Sequence, residues 1–378
     1  MMFTIYASVC GPYQLHVFYS VCLTRGIDVS AVKLICRADG QAGLTAEVCR
    51  YAEEVLGFVD PIDFVQSSVY EEFIQCGLTC RKEMKLKIKD AILGSRTDTI
   101  MEYWHSLGDE TLEACIKSSL MPARVCFYED GFGSSMKVQR LSYLNAFKAA
   151  IRTCLKLDFK KSFAHVQWAL QVGRRLRASE YWVVDAELWK KLGRGITHGV
   201  KVSGISSQAL TESFKKSQVI EVIRNEAVLL TNVYSERSYC DLDHELGIYR
   251  SILQCFQSCG IGCSIKMHPR TSVEKANYLH ALCSQYGGQI LDASINPLES
   301  YLSLDNNCAR ILVGPPTTAL LNAEHLNLGK AICLGDGIFT STDHIGESAR
   351  RIFEAAGISV PCDLAALNAI LGQYGVEN

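Results

Sequence analysis

The opening part of the chain repeats one pattern. A short run of apolar, β-branched or aromatic positions meets a turn residue, and a longer stretch with helical spacing follows. Thr4-Ile5-Tyr6-Ala7-Ser8-Val9 is the first run and Gly11-Pro12 ends it; Gln14 to Thr24 then reads as a buried helix. Ala31 to Cys36 predicts a second strand, and Thr45 to Leu56 a helix with Thr45 as its N-cap. Ile62 to Val65 predicts a third strand, Tyr70 to Leu93 a long charged helix, and Arg124 to Tyr128 a strand that stops at Glu129-Asp130-Gly131. Strands and helices alternate, which predicts a parallel sheet with helices on both faces.

The same grammar returns at Ala227 to Val233 and continues with strands over Cys263 to Met267, Gln289 to Leu291, Arg310 to Val313 and Ala331 to Leu334. Helices are predicted between them over Leu242 to Gln257, Ser272 to Tyr286, Pro297 to Leu304 and Thr317 to Leu326. Between the two halves, 137–215 reads as helical and basic, and Val202 to Ser213, rich in Ser, Gly and Thr, reads as a linker. His344 to Tyr374 holds two helical segments, and there is no internal repeat. The expected organisation is a Rossmann-like domain over 1–215 with a basic helical insertion at about 137–200, a second over 216–345, and C-terminal helices over 346–378.

Composition narrows the class. At 378 residues, 48% hydrophobic and 21% charged, the chain has an ordinary globular make-up, which excludes disordered, collagen-like and coiled-coil proteins. No window holds 18 uncharged apolar residues, so no membrane-spanning helix is expected, and MMFTIYASVC lacks the basic start of a secretory leader. Seventeen scattered cysteines, an odd number, predict reduced thiols and a cytoplasmic location. Cys255, Cys259 and Cys263 recur every four residues, looser than the step that opens a zinc site, and read as core residues; no metal is expected. Charge is uneven: Lys137 to Arg177 holds ten Lys and Arg against one Asp, a net +9 that leaves −11 for the remainder. Within it Lys148, Arg152, Lys156 and Lys160 fall on one helix face, either a solvated face or a surface for an acidic glycan or anionic lipid. Nucleic acid is not the expected partner, because the whole chain is slightly acidic and shows no reader motif.

Four constellations carry candidate chemistry. Glu129-Asp130-Gly131 follows a strand, where open α/β sheets place ligands; one partly desolvated acid of such a pair suits a general base, and a surface turn is the plainer alternative. Lys266-Met267-His268-Pro269-Arg270 also ends a strand, and its cations suit a phosphate or departing nucleotide. Gly314-Pro315-Pro316-Thr317-Thr318 joins a strand to a helix, with two hydroxyls and free N–H groups for an anion, or a simple N-cap pair. Glu299, in Asn296-Pro297-Leu298-Glu299, is placed either to accept ribose hydroxyls or to favour its helix start. Asp241-Leu242-Asp243 mimics a metal-binding pair but sits at a helix start and reads as an N-cap.

In order and spacing, these motifs resemble those of the bacterial GT-B sialyltransferases, in particular the lipooligosaccharide sialyltransferases and capsule polysialyltransferases. The resemblance rests on Glu129-Asp130-Gly131, His268-Pro269 and Thr317-Thr318, with Cys10-Gly11-Pro12-Tyr13-Gln14-Leu15 and Leu230-Thr231-Asn232-Val233 similar to the domain starts of that group. Thr-Thr replaces the more usual Ser-Ser or Ser-Thr, and Met267 stands where a small residue or Pro is common. What the resemblance implies is an α/β GT-B fold: two Rossmann-like domains facing a central cleft, with the C-terminal helices packing back on the N-terminal domain. It implies inverting, metal-independent transfer of sialic acid from CMP-sialic acid to a glycan hydroxyl, with no cofactor. Glu129 would be the base, Asp130 and Gly131 would shape its turn, His268 would act on the leaving phosphate, and Thr317 and Thr318 would bind its oxygens. Lys266 and Pro269 would flank the nucleotide, and Glu299 would hold the ribose. A glycan acceptor, acidic or lipid-linked, and peripheral contact with the inner face of the membrane complete the expectation. The alternatives are transfer of another CMP-activated acidic sugar such as Kdo, or a GT-B-like binding protein without catalysis.

Overall fold

The computed structural model describes residues 4–37, 42–67, 82–94, 99–106, 116–117, 119–129, 131, 179–192, 201–217, 219, 221–291, 296–339 and 346–374. The chain forms two compact units, Met1–Lys216 and Ser217–Asn378.

The first unit is built on seven parallel strands: β1 (Ile5–Val9), β2 (Val32–Cys36), β3 (Ile62–Asp63), β4 (Glu102–His105), β5 (Arg124–Tyr128), β6 (Glu180–Val183) and β7 (Lys201–Gly204). Their order is β3-β2-β1-β4-β5-β6-β7, so the direction of winding reverses between β1 and β4. The β1 neighbours are set by register: Ile5 lies opposite Val32 on one side and Glu102 on the other. Pro12 sits in the first turn of the helix Pro12–Arg25, where its missing N–H costs nothing, and Gly26 in the left-handed region (φ 67) closes it. One face of the sheet buries Tyr6, Ile35, Phe64 and Tyr103 against Ile88 and Ile92; further along, Phe127, Tyr181 and Val183 pack on Trp189.

The second unit has five parallel strands: β8 (Ala227–Leu230), β9 (Cys263–Lys266), β10 (Gln289–Leu291), β11 (Ile311–Gly314) and β12 (Lys330–Cys333). They are ordered β10-β9-β8-β11-β12, with the reversal between β8 and β11. Leu229, Ile265, Val313 and Ile332 form a core with Tyr249, Ile252 and Phe256 of the helix Leu242–Ser258.

Several sequence expectations are corrected. The stretch read as a linker is β7 followed by the helix Ser207–Lys215, capped by Ser206, and its Leu210 and Phe214 are buried. The middle expected to be wholly helical contains β6, and β4 was not anticipated. Both strands begin with a buried glutamate, Glu102 and Glu180, and Arg25 and Arg124 make such burial tolerable. Arg25 lies 2.8 Å and Arg124 3.1 Å from Glu102, and Trp104 donates its indole N–H to Glu102 at 2.9 Å. Burial alone would raise the Glu102 carboxyl; the Arg25 and Trp104 hydrogen bonds bring it below its ordinary value. Thr45 lies inside the helix Ala42–Glu54 rather than capping it. The last helix, Leu364–Gly372, expected to return to the first domain, is built into the second: Leu367 and Leu371 complete its core, and Cys255 and Cys259 pack beside them. The described cysteines are all free thiols.

Candidate functional site

In the second unit, three chain segments leave the carboxyl ends of adjacent strands at the winding reversal. Ligands of open α/β sheets bind at such reversals, because the loops on either side diverge there. Thr231 follows β8, His268 follows β9, and Pro315-Pro316-Thr317 follows β11. The strand ends are drawn close by Gly314: a Cβ there would lie 2.6 Å from the Leu230 Cβ.

His268 is held from both sides. Its backbone N–H donates to Thr231 Oγ1 at 3.0 Å, and its Nδ1 accepts the Arg270 backbone N–H at 3.0 Å. Nδ1 is thus an acceptor, and the neutral ring carries its proton on Nε2. Burial, reinforced by Arg270 and Arg237 and offset by Glu236, lowers the imidazole to about 4. At neutral pH the ring therefore offers a hydrogen bond rather than a proton, which revises the imidazolium expected from sequence. Pro269 and Arg270 are exposed beside it.

Thr317 is the N-cap residue of the helix Thr318–His325, yet its side chain makes no capping hydrogen bond. Its Oγ1 is buried and has no hydrogen-bond partner among the described residues. A buried hydroxyl left unpaired costs on the order of 1–3 kcal/mol, and here it stands at a helix start whose N–H groups attract anions. Thr318 is the first helical residue.

Two expected contacts are placed differently. Glu299, from the helix Leu298–Leu302, is buried; burial raises its carboxyl, and Asn322 donates to it at 2.5 Å. In this arrangement it braces the helix that begins at Thr318. Lys266, the last residue of β9, is also buried, with its ammonium 4.7 Å from the Tyr301 ring centre. Sequence reasoning gave no role to Thr231, Asn322 and Arg237, although Leu230-Thr231-Asn232-Val233 marked Thr231 as part of a domain start after an apolar strand.

In the first unit Glu129 follows β5. Its backbone N–H donates to Trp182 O at 2.9 Å, and its Oε2 accepts the Val184 N–H at 2.7 Å, so β6 and its exit fix the carboxylate. Gly131 adopts φ 101, a conformation that favours glycine and turns the chain directly after the acid. Asp130, Lys148, Arg152, Lys156 and Lys160 lie outside the described residues. Among the described residues no His, Cys, Asp and Glu group has metal-site geometry; Asp241 is the N-cap residue of Leu242–Ser258 without a side-chain bond. No described helix is long and apolar enough to cross a membrane.

Two all-parallel sheets wound in this order, with polar groups at their carboxyl ends, define a GT-B-type α/β protein. Solved structures share the fold. A UDP-GlcNAc 2-epimerase from Methanocaldococcus jannaschii superposes with a TM-score of 0.56 at 14% identity, covering 100% of this chain and 93% of that one. A UDP-glucosyltransferase from Polygonum tinctorium gives 0.52 at 8% identity, covering 99% and 90%. An α/β-galactoside α-2,3-sialyltransferase from Photobacterium phosphoreum reaches 0.48 at 10% identity over 94% and 97%, a level that does not bear on fold. No curated protein matches the chain. The chain belongs to the alpha-2,8-polysialyltransferase family, whose model matches residues 112–336, more than half of the 378.

Proposed function

We propose that the protein is an inverting sialyltransferase that uses CMP-sialic acid and extends an acidic glycan acceptor. The observation that carries this reading is the buried Thr317 hydroxyl, unpartnered among the described residues, at an uncapped helix start after β11; β11 adjoins β8, whose following residue Thr231 holds the His268 N–H from the other side. That arrangement supports a leaving phosphate. Thr317, Thr318 and the helix N–H groups would take its oxygens, and His268 Nε2–H would donate to the oxygen that gains charge as the bond to the sugar breaks. Lys266 would supply background charge from beneath, Pro269 would fix the loop, and Glu299 would act through Asn322 by holding the phosphate helix. Glu129 would accept the proton of the acceptor hydroxyl as the new C–O bond forms, and CMP would depart with the electron pair of the old one. Attack opposite the departing CMP inverts the anomeric carbon.

One phosphate spreads its charge over these donors, so the reading includes no metal and no cofactor. Lys148, Arg152, Lys156 and Lys160 would serve the acidic acceptor, and peripheral contact with an anionic membrane from the cytoplasmic side fits the same stretch.

A donor screen tests the reading. CMP-sialic acid, CMP-Kdo and UDP-sugars are each offered with a sialylated oligosaccharide, and CMP release and product mass are read with and without chelator. Turnover with CMP-sialic acid alone, undiminished in chelator and with inverted configuration, is expected. Turnover only with CMP-Kdo, or only with added divalent metal, would overturn it.

A further inference from the structure

Behind His268 lies a buried charged knot that plays no part in the leaving-group chemistry just described. Lys275, in the first turn of the helix Val273–Gln285, is fully buried together with Glu245 of the helix Leu242–Ser258. The Lys275 ammonium donates to Glu245 Oε1 at 2.5 Å, to the Asn232 carbonyl at 2.6 Å and to Glu236 Oε2 at 3.2 Å, which uses all three of its protons. Glu245 is equally saturated. Its Oε1 also accepts the Tyr249 hydroxyl at 3.1 Å, and its Oε2 accepts the Ser235 N–H at 3.0 Å and hydroxyl at 2.7 Å. Tyr249 in turn accepts the Asn232 N–H at 2.9 Å. Glu236 Oε1 accepts the Ser272 N–H at 2.9 Å.

The partners divide into two groups. Asn232, Ser235 and Glu236 belong to the loop after β8, and Ser272 and Lys275 to the segment that continues from His268 after β9. A buried ion pair is a poor way to gain stability, since an apolar replacement of equal volume often does as well. Its distinctive use is to fix one geometry out of many, and here the geometry fixed is that of the two loops that Thr231 also ties together through the His268 N–H.

We propose that Lys275 is a positioning residue for sialyl transfer: through Glu245 and Glu236 it locks the loops after β8 and β9 into one frame and so holds the His268 ring with Nδ1 on the Arg270 N–H and the proton on Nε2. The proposal rests on the reading of His268 as the leaving-group donor. The charged groups that face that ring are Arg270, Arg237, Glu236 and Lys275. If the frame slackens, the ring samples both tautomers and the donor drifts from the departing oxygen; a misplacement of about 1 Å costs on the order of 10²-fold.

Lys275→Met alone would strand the Glu245 carboxylate, so the test uses Lys275→Met with Glu245→Gln, in which the new amide is uncharged and keeps an acceptor for Ser235. A second variant, Glu236→Ala, removes the outer bonds to Lys275 and to the Ser272 N–H and leaves the Lys275–Glu245 pair in place. Three readouts are taken on the full chain: thermal melting, kcat and KM for CMP-sialic acid, and the ¹⁵N signals of the His268 ring, assigned by their absence in His268→Ala. The double variant is expected to melt within a few degrees of wild type, to lose about 10–100-fold in kcat with a smaller change in KM, and to show mixed tautomers. Glu236→Ala should move the same way by less. A single Nε2–H tautomer and wild-type kcat in Glu236→Ala, or in a folded double variant, overturns the proposal. If His268→Ala itself keeps full turnover while the tautomer still responds to Lys275, the frame stands and the role given to His268 fails.

Discussion

At the scale of single residues, Thr317 separates binding from folding. Thr317→Val removes a hydroxyl that has no partner in the free protein, so the variant is expected to melt at or above the wild-type temperature. The same change deletes a phosphate ligand, and CMP affinity should fall about tenfold by calorimetry, as one hydrogen bond to a charged group is worth. Unchanged affinity would move the phosphate elsewhere. Glu129→Gln makes the complementary case. The amide oxygen can still accept the Val184 N–H, so the fold should persist, whereas turnover should drop about 10² to 10⁴-fold with CMP binding intact. His268 and Thr317 were legible in the sequence because a strand, a turn and a polar residue follow one another there. Lys275 and Glu245 were not, since each looks like an ordinary charge on an amphipathic helix until the fold buries them together.

At the scale of elements, most strands of both sheets could be read from uninterrupted apolar runs. β7 was hidden by its Ser and Gly, and the two other exceptions share a cause. Glu102-Tyr103-Trp104-His105 and Glu180-Tyr181-Trp182-Val183 start with an acid, and a pattern of hydrophobic and polar positions takes an acid for a solvent-facing residue. The guanidinium groups of Arg25 and Arg124, distant in sequence from these acids, let the glutamates be interior residues, with the Trp104 indole N–H assisting at Glu102. The spacing of β8 and β11 gives a further prediction. Gly314→Ala places a methyl group against the Leu230 Cβ, so the strand ends must part. A stability loss of about 1–3 kcal/mol by denaturant titration is expected, together with weaker CMP binding. Leu230→Gly in the same chain, which removes the Cβ that is met, should restore part of the CMP binding; no recovery would mean that close approach is not what the glycine provides.

At the scale of the molecule, acid stability is set in part by a residue remote from the chemistry. His16 is fully buried, with Nδ1 2.8 Å from Ser213 Oγ and Nε2 2.9 Å from Tyr51 OH, and it joins the helix Pro12–Arg25 to Ser207–Lys215 and Ala42–Glu54. Burial lowers its ring to about 3 against 6.5 for the ordinary side chain, with a Ser213 hydrogen bond opposing. The unfolded chain therefore takes up a proton below pH 6.5 that the folded chain refuses until about 3. His16 leaves stability untouched above that window and subtracts from it as pH falls through it, by about 1.4 kcal/mol per pH unit once the unfolded ring is charged. His268 adds to the same limb down to about 4. Denaturant titrations at pH 7.5, 6 and 5 should show this slope, and His16→Gln should flatten it by one proton at a lower starting stability. Equal slopes in both proteins would show that another group governs the acid limb.

The strand order also has a consequence for how the chain is made. In the second unit β8 is synthesised first and ends in the middle of the sheet, with β9 on one side and β11 on the other. The roughly 80 residues between the end of β8 and the start of β11 take about 4–16 s to translate at ~5–20 residues per second. For that interval the apolar run Ala227-Val228-Leu229-Leu230 has one edge paired at most, and the half-built sheet offers the other to any passing strand. A ribosome that stalls after Lys266 and before Ile311 therefore holds its nascent chain with the inner edge of β8 unpaired.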